Sequence, residues 1–168
     1  MNEISTSCGR KLLFGNITEA NVHQLRKMNA SVFPVRYPDK FYKDVSCGKE
    51  EFNQFVYVDG VVAGAVCCRI EPPEPPGGHD RLYIMTLGVL APWRRRGIGT
   101  QLLRRMLANL EHHPSVQEVY LHVQTSNQDA VEFYQGHGFD IAETIANYYK
   151  RIDPPDCYVL RKRLSRDL

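Results

Sequence analysis

Three arginines, two glycines and a threonine stand together at Arg94, Arg95, Arg96, Gly97, Ile98, Gly99 and Thr100. Before them, Arg81 to Val89 reads as a strand and Ala91-Pro92 as a turn. After them, Ile98, Leu102, Leu103, Met106, Leu107 and Leu110 recur with helical period. Strand, glycine turn and helix start, in that order, suit a pyrophosphate. Glycine lets backbone come close to phosphate because no Cβ intervenes. The free N–H groups of a helix start point at the anion, and arginines add charge around it. A dinucleotide site would want G-x-G-x-x-G and an acidic residue about 20 residues on, and the first of those glycines is missing. A P-loop would want Gly-Lys-Ser/Thr, also absent. The plain alternative is a basic helix on the solvent face, but paired glycines weaken a helix start unless close approach is needed.

The elements around this segment alternate between strand and helix. Lys11–Phe14 is a short strand. Thr18 caps a helix to about Asn29, with Val22, Leu25 and Met28 inward. Phe33-Pro34-Val35-Arg36-Tyr37-Pro38 forbids helix, because its prolines fix the backbone. A short helix follows from Asp39 to about Val45. Phe52–Val58 and Val61–Ile70 pair across the hairpin signal Asp59-Gly60. Glu71 to Asp80 holds four prolines and two glycines and reads as a loop. In the strand at Glu118–Gln124, Val119, Leu121 and Val123 face one way and Tyr120 and His122 the other. Asn127 caps a helix to about Gly136, with Ala130, Val131, Phe133 and Tyr134 inward or at a site. Gly138 ends it before Phe139. The last strand is about Cys157–Arg161. The order predicts an α/β fold with a mixed sheet flanked by helices, one domain over 1–168, with 1–10 and 163–168 as loose termini.

Hydrophobic residues make up 43% of the 168, enough for a real core. A net charge of +2 argues against general nucleic-acid binding. The five cysteines include no C-x-x-C pair and their number is odd, which suits reduced thiols better than disulfides or zinc. No run approaches the length of a membrane span, and no apolar signal core opens the chain. The expectation is a soluble cytoplasmic protein, present in the nucleus as a second location.

Arg94-x-x-Gly97-x-Gly99 resembles the R/Q-x-x-G-x-G/A motif of the GCN5-related N-acetyltransferase superfamily. Phe33-Pro34-Val35-x-Tyr37, Tyr83-Ile84-Met85-Thr86-Leu87, Tyr120-Leu121-His122-Val123, Ser126-Asn127-x-x-Ala130-x-x-Phe133-Tyr134, Gly138-Phe139 and Asn147-Tyr148-Tyr149 resemble its NatE-type protein N-terminal acetyltransferases, the San family. The pieces are short, but together and in order they are specific over residues 14 to 160. Trp93 departs from the family, which has a smaller aromatic or His there. The resemblance implies a sheet of about seven strands and acetyl transfer from acetyl-CoA, without a metal, to the α-amine of proteins starting with methionine and an apolar residue. It also implies docking on the auxiliary and catalytic subunits of the NatA complex at the ribosome.

An α-amine titrates near pH 8, so a base with a pKa near 7 suits its deprotonation. The resemblance gives that role to His122, with Tyr83 as its partner through an ordered water. On residues alone, a core histidine held by a backbone carbonyl is the better reading, and the resemblance reverses that. Tyr134 is carried over as the group that meets the leaving thiolate, or it is a core aromatic. Asn127 is an N-cap, a pantetheine contact, or both. Backbone amides at Leu87, Gly88 and Val89 are candidates for the developing oxyanion, with Gly88 accompanying a bulge. Phe33, Pro34, Val35 and Tyr37 on one side and Tyr148 and Tyr149 on the other would clamp the peptide start. Met85 would floor a pocket suited to methionine. Two rivals remain. A lysine or small-amine acetyltransferase would want an acidic channel. A non-catalytic acetyl-CoA-binding subunit would not need both Tyr83 and His122.

Overall fold

Alternating apolar residues and an Asp-Gly turn make the first long hairpin. In the computed structural model, which describes residues 4–5 and 9–166, β3 (Asn53–Val58) and β4 (Val61–Glu71) pair antiparallel. Asp59 and Gly60 both take positive φ, 50° and 83°, the geometry that a tight two-residue hairpin turn requires. Strand β2 (Lys11–Asn16) pairs antiparallel with β3, and the two-residue β1 (Ile4–Ser5) pairs with β2.

The chain gathers into two compact units. The first comprises Met1–Arg69 and Met85–His112. Its ladder runs β1-β2-β3-β4. Helices α1 (Val22–Val32) and α2 (Asp39–Ser46) pack with it through Leu25, Met28, Tyr42, Val45, Phe55, Ala65 and Cys67. Burial of the two adjacent thiols pushes Cys68 well above its ordinary range and Cys67 up to about 12. Both are therefore inert neutral groups of the core.

The second unit comprises Ile70–Ile84 and His113–Leu168. There β5 (Asp80–Val89) runs parallel to β6 (Val116–Gln124) over Asp80–Tyr83. β8 (Cys157–Arg163) runs antiparallel to β6, and β7 (Asp140–Ile145) antiparallel to β8. A parallel pair needs a long crossover, and the chain between β5 and β6 carries α3 (Ile98–Asn109). Helix α4 (Gln128–Gln135) follows β6.

Most expected elements are present, with differences at the start of α1, at β7 and at the chain ends. Helix α1 begins later than expected, with Asn21 and not Thr18 at the N-cap, because the Thr18 carbonyl closes a turn by accepting the N–H groups of Asn21 and Val22. The Asn21 amide oxygen accepts the Thr18 N–H at 2.7 Å, and Val22 opens the helix. Strand β7 was not expected. Its residues are mostly exposed, so Asp-Ile-Ala-Glu-Thr-Ile lacks the apolar alternation that marks a half-buried strand. With β7, seven strands exceed two residues and β1 makes an eighth among the described residues. The expectation of loose ends at 1–10 and 163–168 lies partly outside the described residues, at 1–3, 6–8 and 167–168. Within them, the Leu164 N–H bonds the Gln117 carbonyl and the Arg166 guanidinium bonds the carbonyls of Val116 and His113. The C-terminal stretch through 166 is therefore tied to β6.

Candidate active site

The arginine–glycine loop lies in the first unit. After β5, Ala91–Trp93 forms one 3-10 turn, and Arg95 and Gly97 adopt positive φ, 62° and 76°. Gly97 is the residue before α3, and no side chain caps that helix or places an acid in its first turn. A Cβ on Gly97 would meet no protein atom within 4 Å, so packing does not demand glycine there. The backbone conformation demands it. Arg94, Arg95, Arg96 and Gly97 are exposed, Gly99 and Thr100 half-buried, and Ile98 anchors the helix in the core. An uncapped twelve-residue helix start behind a turn with positive φ at Arg95 and Gly97 is suited to serve as a nest for an anion. These residues fit the pyrophosphate of acetyl-CoA. The Arg94 Nε donates to the Val89 carbonyl at 3.0 Å, which ties the loop to the strand end. The guanidinium of Arg96 lies 5.5 Å from the Trp93 ring centre. Trp93 thus acts as a cation–π platform at the place where the chain departs from its resembled family.

The same unit holds the C-terminal end of β5, Met85–Val89. Along it Met85, Leu87 and Val89 are the less buried residues, on one face by the strand's period of two. A Cβ at Gly88 would stand 3.0 Å from Phe33 Cζ and 3.1 Å from Val32 Cγ1. Gly88 therefore admits the Phe33 loop onto the strand end. The irregularity recorded in the β5–β6 ladder falls at Asp80/Arg81. Phe33 meets Tyr37 edge to face at 6.0 Å, and Tyr37 continues to Phe41 at 4.8 Å. Pro34 is exposed and Val35 half-buried. Val35 and Tyr37 line a cavity of about 650 Å³ with Arg26, Asn29 and Tyr42. Met85 packs against the core of this unit.

The second unit brings Tyr83 and His122 together. The parallel register sets Tyr83 opposite Tyr120, and His122 lies two residues on along the same face of β6. The Tyr83 hydroxyl touches His122 Nδ1 at 2.9 Å. The expected water link is thus a direct contact. Tyr148 stacks on His122 at 4.6 Å and 15°, and Tyr149 meets Tyr148 edge to face at 5.0 Å. Burial holds the His122 imidazole below its ordinary value, against the opposing pull of the Glu143 and Glu71 carboxylates. The imidazole is thereby kept neutral, ready to accept a proton near neutral pH. Burial, with lesser help from Cys157 and Tyr148, pushes the Tyr149 phenol up to about 12. That phenol stays protonated and can donate a hydrogen bond.

On α4, Tyr134 is 5% exposed and meets Phe139 edge to face at 5.3 Å. The core-aromatic reading of Tyr134 is therefore correct as far as its ring goes. Asn127 is the N-cap, its side-chain oxygen accepting the Ala130 N–H at 3.2 Å.

Three residues beside the base escape the sequence reading. Glu71 ends β4 and accepts the Tyr120 hydroxyl, Tyr120 stacks on Tyr83 at 4.8 Å, and Glu143 on β7 acts on His122 by charge. Tyr120 had a signal, since it shares the polar face of β6 with His122. Glu71 and Glu143 had none, because one opens a proline-rich loop in sequence and the other sits on the strand that lacks alternation.

A nest before α3 and a histidine–tyrosine pair on a parallel strand pair are parts of an acyl-CoA-dependent transferase. The profile of the acetyltransferase (GNAT) family matches residues 22–139, and the chain belongs to that family. N-alpha-acetyltransferase 50 of Danio rerio is 47% identical over 154 residues, covering 92% of this chain and 89% of the fish protein. The probable N-acetyltransferase san of Drosophila melanogaster is 47% identical over 152 residues, covering 90% and 80%. The structure of Arabidopsis thaliana Naa50 in complex with the bisubstrate analogue CoA-Ac-MVNAL gives a TM-score of 0.82 at 45% identity, covering 90% of this chain and 97% of that one. The expected family and its α/β class, a mixed sheet with helices, both hold.

Proposed function

We propose that this chain is an acetyl-CoA-dependent protein N-terminal acetyltransferase acting on the α-amine of proteins that begin with methionine followed by an apolar residue. The observation that carries the reading is the 2.9 Å contact between the Tyr83 hydroxyl and His122 Nδ1, together with kinship to N-alpha-acetyltransferase 50. When bound, acetyl-CoA supplies an acetyl thioester whose carbonyl an amine can attack. The Arg94–Thr100 nest holds the pyrophosphate, mostly by backbone amides. With the Tyr83 hydroxyl donating to Nδ1, the amine proton passes to the Tyr83 oxygen as the tyrosine proton passes to His122. The imidazole then carries the extra proton, stacked on Tyr148. Amides of Leu87, Gly88 and Val89 steady the carbonyl oxygen. Tyr134 hydrogen-bonds the departing sulfur, and Asn127 adds a pantetheine contact to its capping role.

Phe33, Pro34, Val35, Tyr37, Met85, Tyr148 and Tyr149 receive the first residues of the substrate. Their walls are apolar, so a long neutral side chain gains most. Burying a methionine arm contributes on the order of 2 kcal/mol, which serine or alanine does not recover. An acidic first residue loses hydration without a partner. The Naa50 structure with an analogue carrying Met-Val at its peptide start supports this choice. The test is a parallel assay of Met-Leu, Ser-Leu and Glu-Leu peptides and an N-terminally blocked lysine peptide. Met-Leu is expected fastest, and a faster serine or lysine peptide overturns the substrate assignment. Docking on the NatA auxiliary and catalytic subunits, and residence in cytoplasm and nucleus, belong to the same reading. Co-purification with those subunits and fractionation of cells test them.

A further inference from the structure

Glu71 stands at one end of a connected path of side chains in the second unit. Its carboxylate accepts the Tyr120 hydroxyl and lies 3.7 Å from the Arg81 guanidinium. Arg81 in turn rests 4.4 Å from the Tyr120 ring centre. Tyr120 and Tyr83 oppose one another in the β5–β6 register, and their rings stack at 4.8 Å and 27°. Tyr83 ends the path on His122 Nδ1 at 2.9 Å. The tip of Tyr120 is pinned by a charge-assisted bond and its ring is flanked by a cation and an aromatic. Such a ring has little freedom, and neither has the tyrosine stacked on it.

We propose that Glu71 is a positioning residue for the transfer reaction: through Tyr120 it fixes Tyr83 against His122, so that the hydroxyl stays in line to pass a proton. The inference rests on Tyr83 and His122 being the proton-accepting pair. A geometric anchor that is also an anion has a second effect. The groups that act on His122 are Tyr83 on β5, Tyr120 on its own strand, Glu71 at the end of β4, Glu143 on β7, and Tyr148 in the loop after β7. On β8, Val159 lies directly opposite His122, and Arg161 beyond it is paired with Glu118. Arg81 is already in contact with Glu71. Glu71 and Glu143 are thus the negative charges that oppose the effect of burial on the imidazole. Loss of Glu71 leaves His122 a weaker base, and it leaves Tyr120 unpinned.

The experiment compares Glu71→Gln, Glu71→Asp, Tyr120→Phe and His122→Ala with the wild type. It measures kcat and KM for a Met-Leu peptide across pH, and the His122 titration by NMR. Glu71→Gln is expected to lower kcat about tenfold, a part of the roughly 10²-fold or more that a positioned base supplies, with the KM for acetyl-CoA unchanged. Its acid limb and its His122 midpoint should both move to lower pH, because a favourable negative charge is gone. Glu71→Asp should restore the midpoint. Tyr120→Phe should lower kcat without lowering the midpoint, because the carboxylate remains. A purely structural role for Glu71 would move neither the limb nor the midpoint. Folded Glu71→Gln protein with wild-type kcat and an unmoved limb overturns the inference. If Glu71→Gln does not fold, Tyr120→Phe with wild-type kcat overturns it instead. An active His122→Ala enzyme overturns the base pair itself, and the two failures are therefore separate.

Discussion

In the proposed function, the cofactor loop and the histidine–tyrosine cluster solve different problems with different parts of the chain. Arg94–Thr100 works through backbone, within seven consecutive residues, at a helix start left uncapped. Tyr83, Tyr120, His122 and Tyr148 work through side chains gathered from two strands and a loop, the first and last of them 65 positions apart. The first is a local conformation. The second exists only if β5 and β6 pair in one register, since a slip by one residue would turn Tyr120 and His122 to the opposite face. Substitutions in the loop should therefore cost binding and spare the fold. Substitutions in the cluster should cost rate and spare cofactor binding.

The largest effect is expected at the loop. Gly97→Asp puts a carboxylate at an anion nest and a Cβ at φ 76°. Acetyl-CoA affinity should fall by roughly 100-fold or more, since both charge and conformation oppose the phosphate. Gly99→Val should act likewise by intruding on the helix start. Calorimetry reads the loss, and circular dichroism should show the fold retained. Unchanged affinity in both variants removes the loop assignment.

Next comes the cluster. His122→Ala should lower kcat by roughly 10²-fold or more with little change in acetyl-CoA affinity. In the wild type, burial depresses the imidazole pKa below 6.5. The acid limb of kcat should therefore lie below that value, and the rate should be maintained through neutral pH. The same shift bears on stability. The unfolded chain takes up the proton more readily than the folded one, so this contribution is present above pH 6.5 and fades as pH falls toward the folded pKa. Urea titrations of the wild type and His122→Ala at several pH values check the sign.

A smaller, purely structural effect separates the strand end from both sites. A Cβ at Gly64 would stand 2.6 Å from the Gly88 carbonyl oxygen, which is backbone and cannot step aside. Gly64→Ala should cost about 1–3 kcal/mol of stability as overpacking does, read as a lowered Tm. A wild-type Tm would mean that β4 and the Gly88 end of β5 lie less close than the structure has them. The smallest effect is expected at Asn127. Loss of its bond to the Ala130 N–H should cost about 1 kcal/mol. A larger fall in acetyl-CoA affinity than in stability would give Asn127 the second, cofactor-facing role.

The chain's order of residues determined the loop by itself, because glycine before a helix and arginines around it act within one turn of backbone. It also determined the hairpin at Asp59-Gly60 and the alternation that puts Tyr120 and His122 on one face of β6, since both are periodicities of local geometry. Asn127 as a cap was legible for the same reason. The tertiary structure alone decided which residues meet. It set Tyr83 directly on His122 where a water was expected, brought Glu71 from the end of β4 to Tyr120, and laid Tyr148 over the imidazole. It also made a strand of the exposed stretch 140–145, which binds by backbone to β8. Strand pairing is chosen by long-range hydrogen bonding and by what each face can bury, and neither leaves a mark within a short window of sequence.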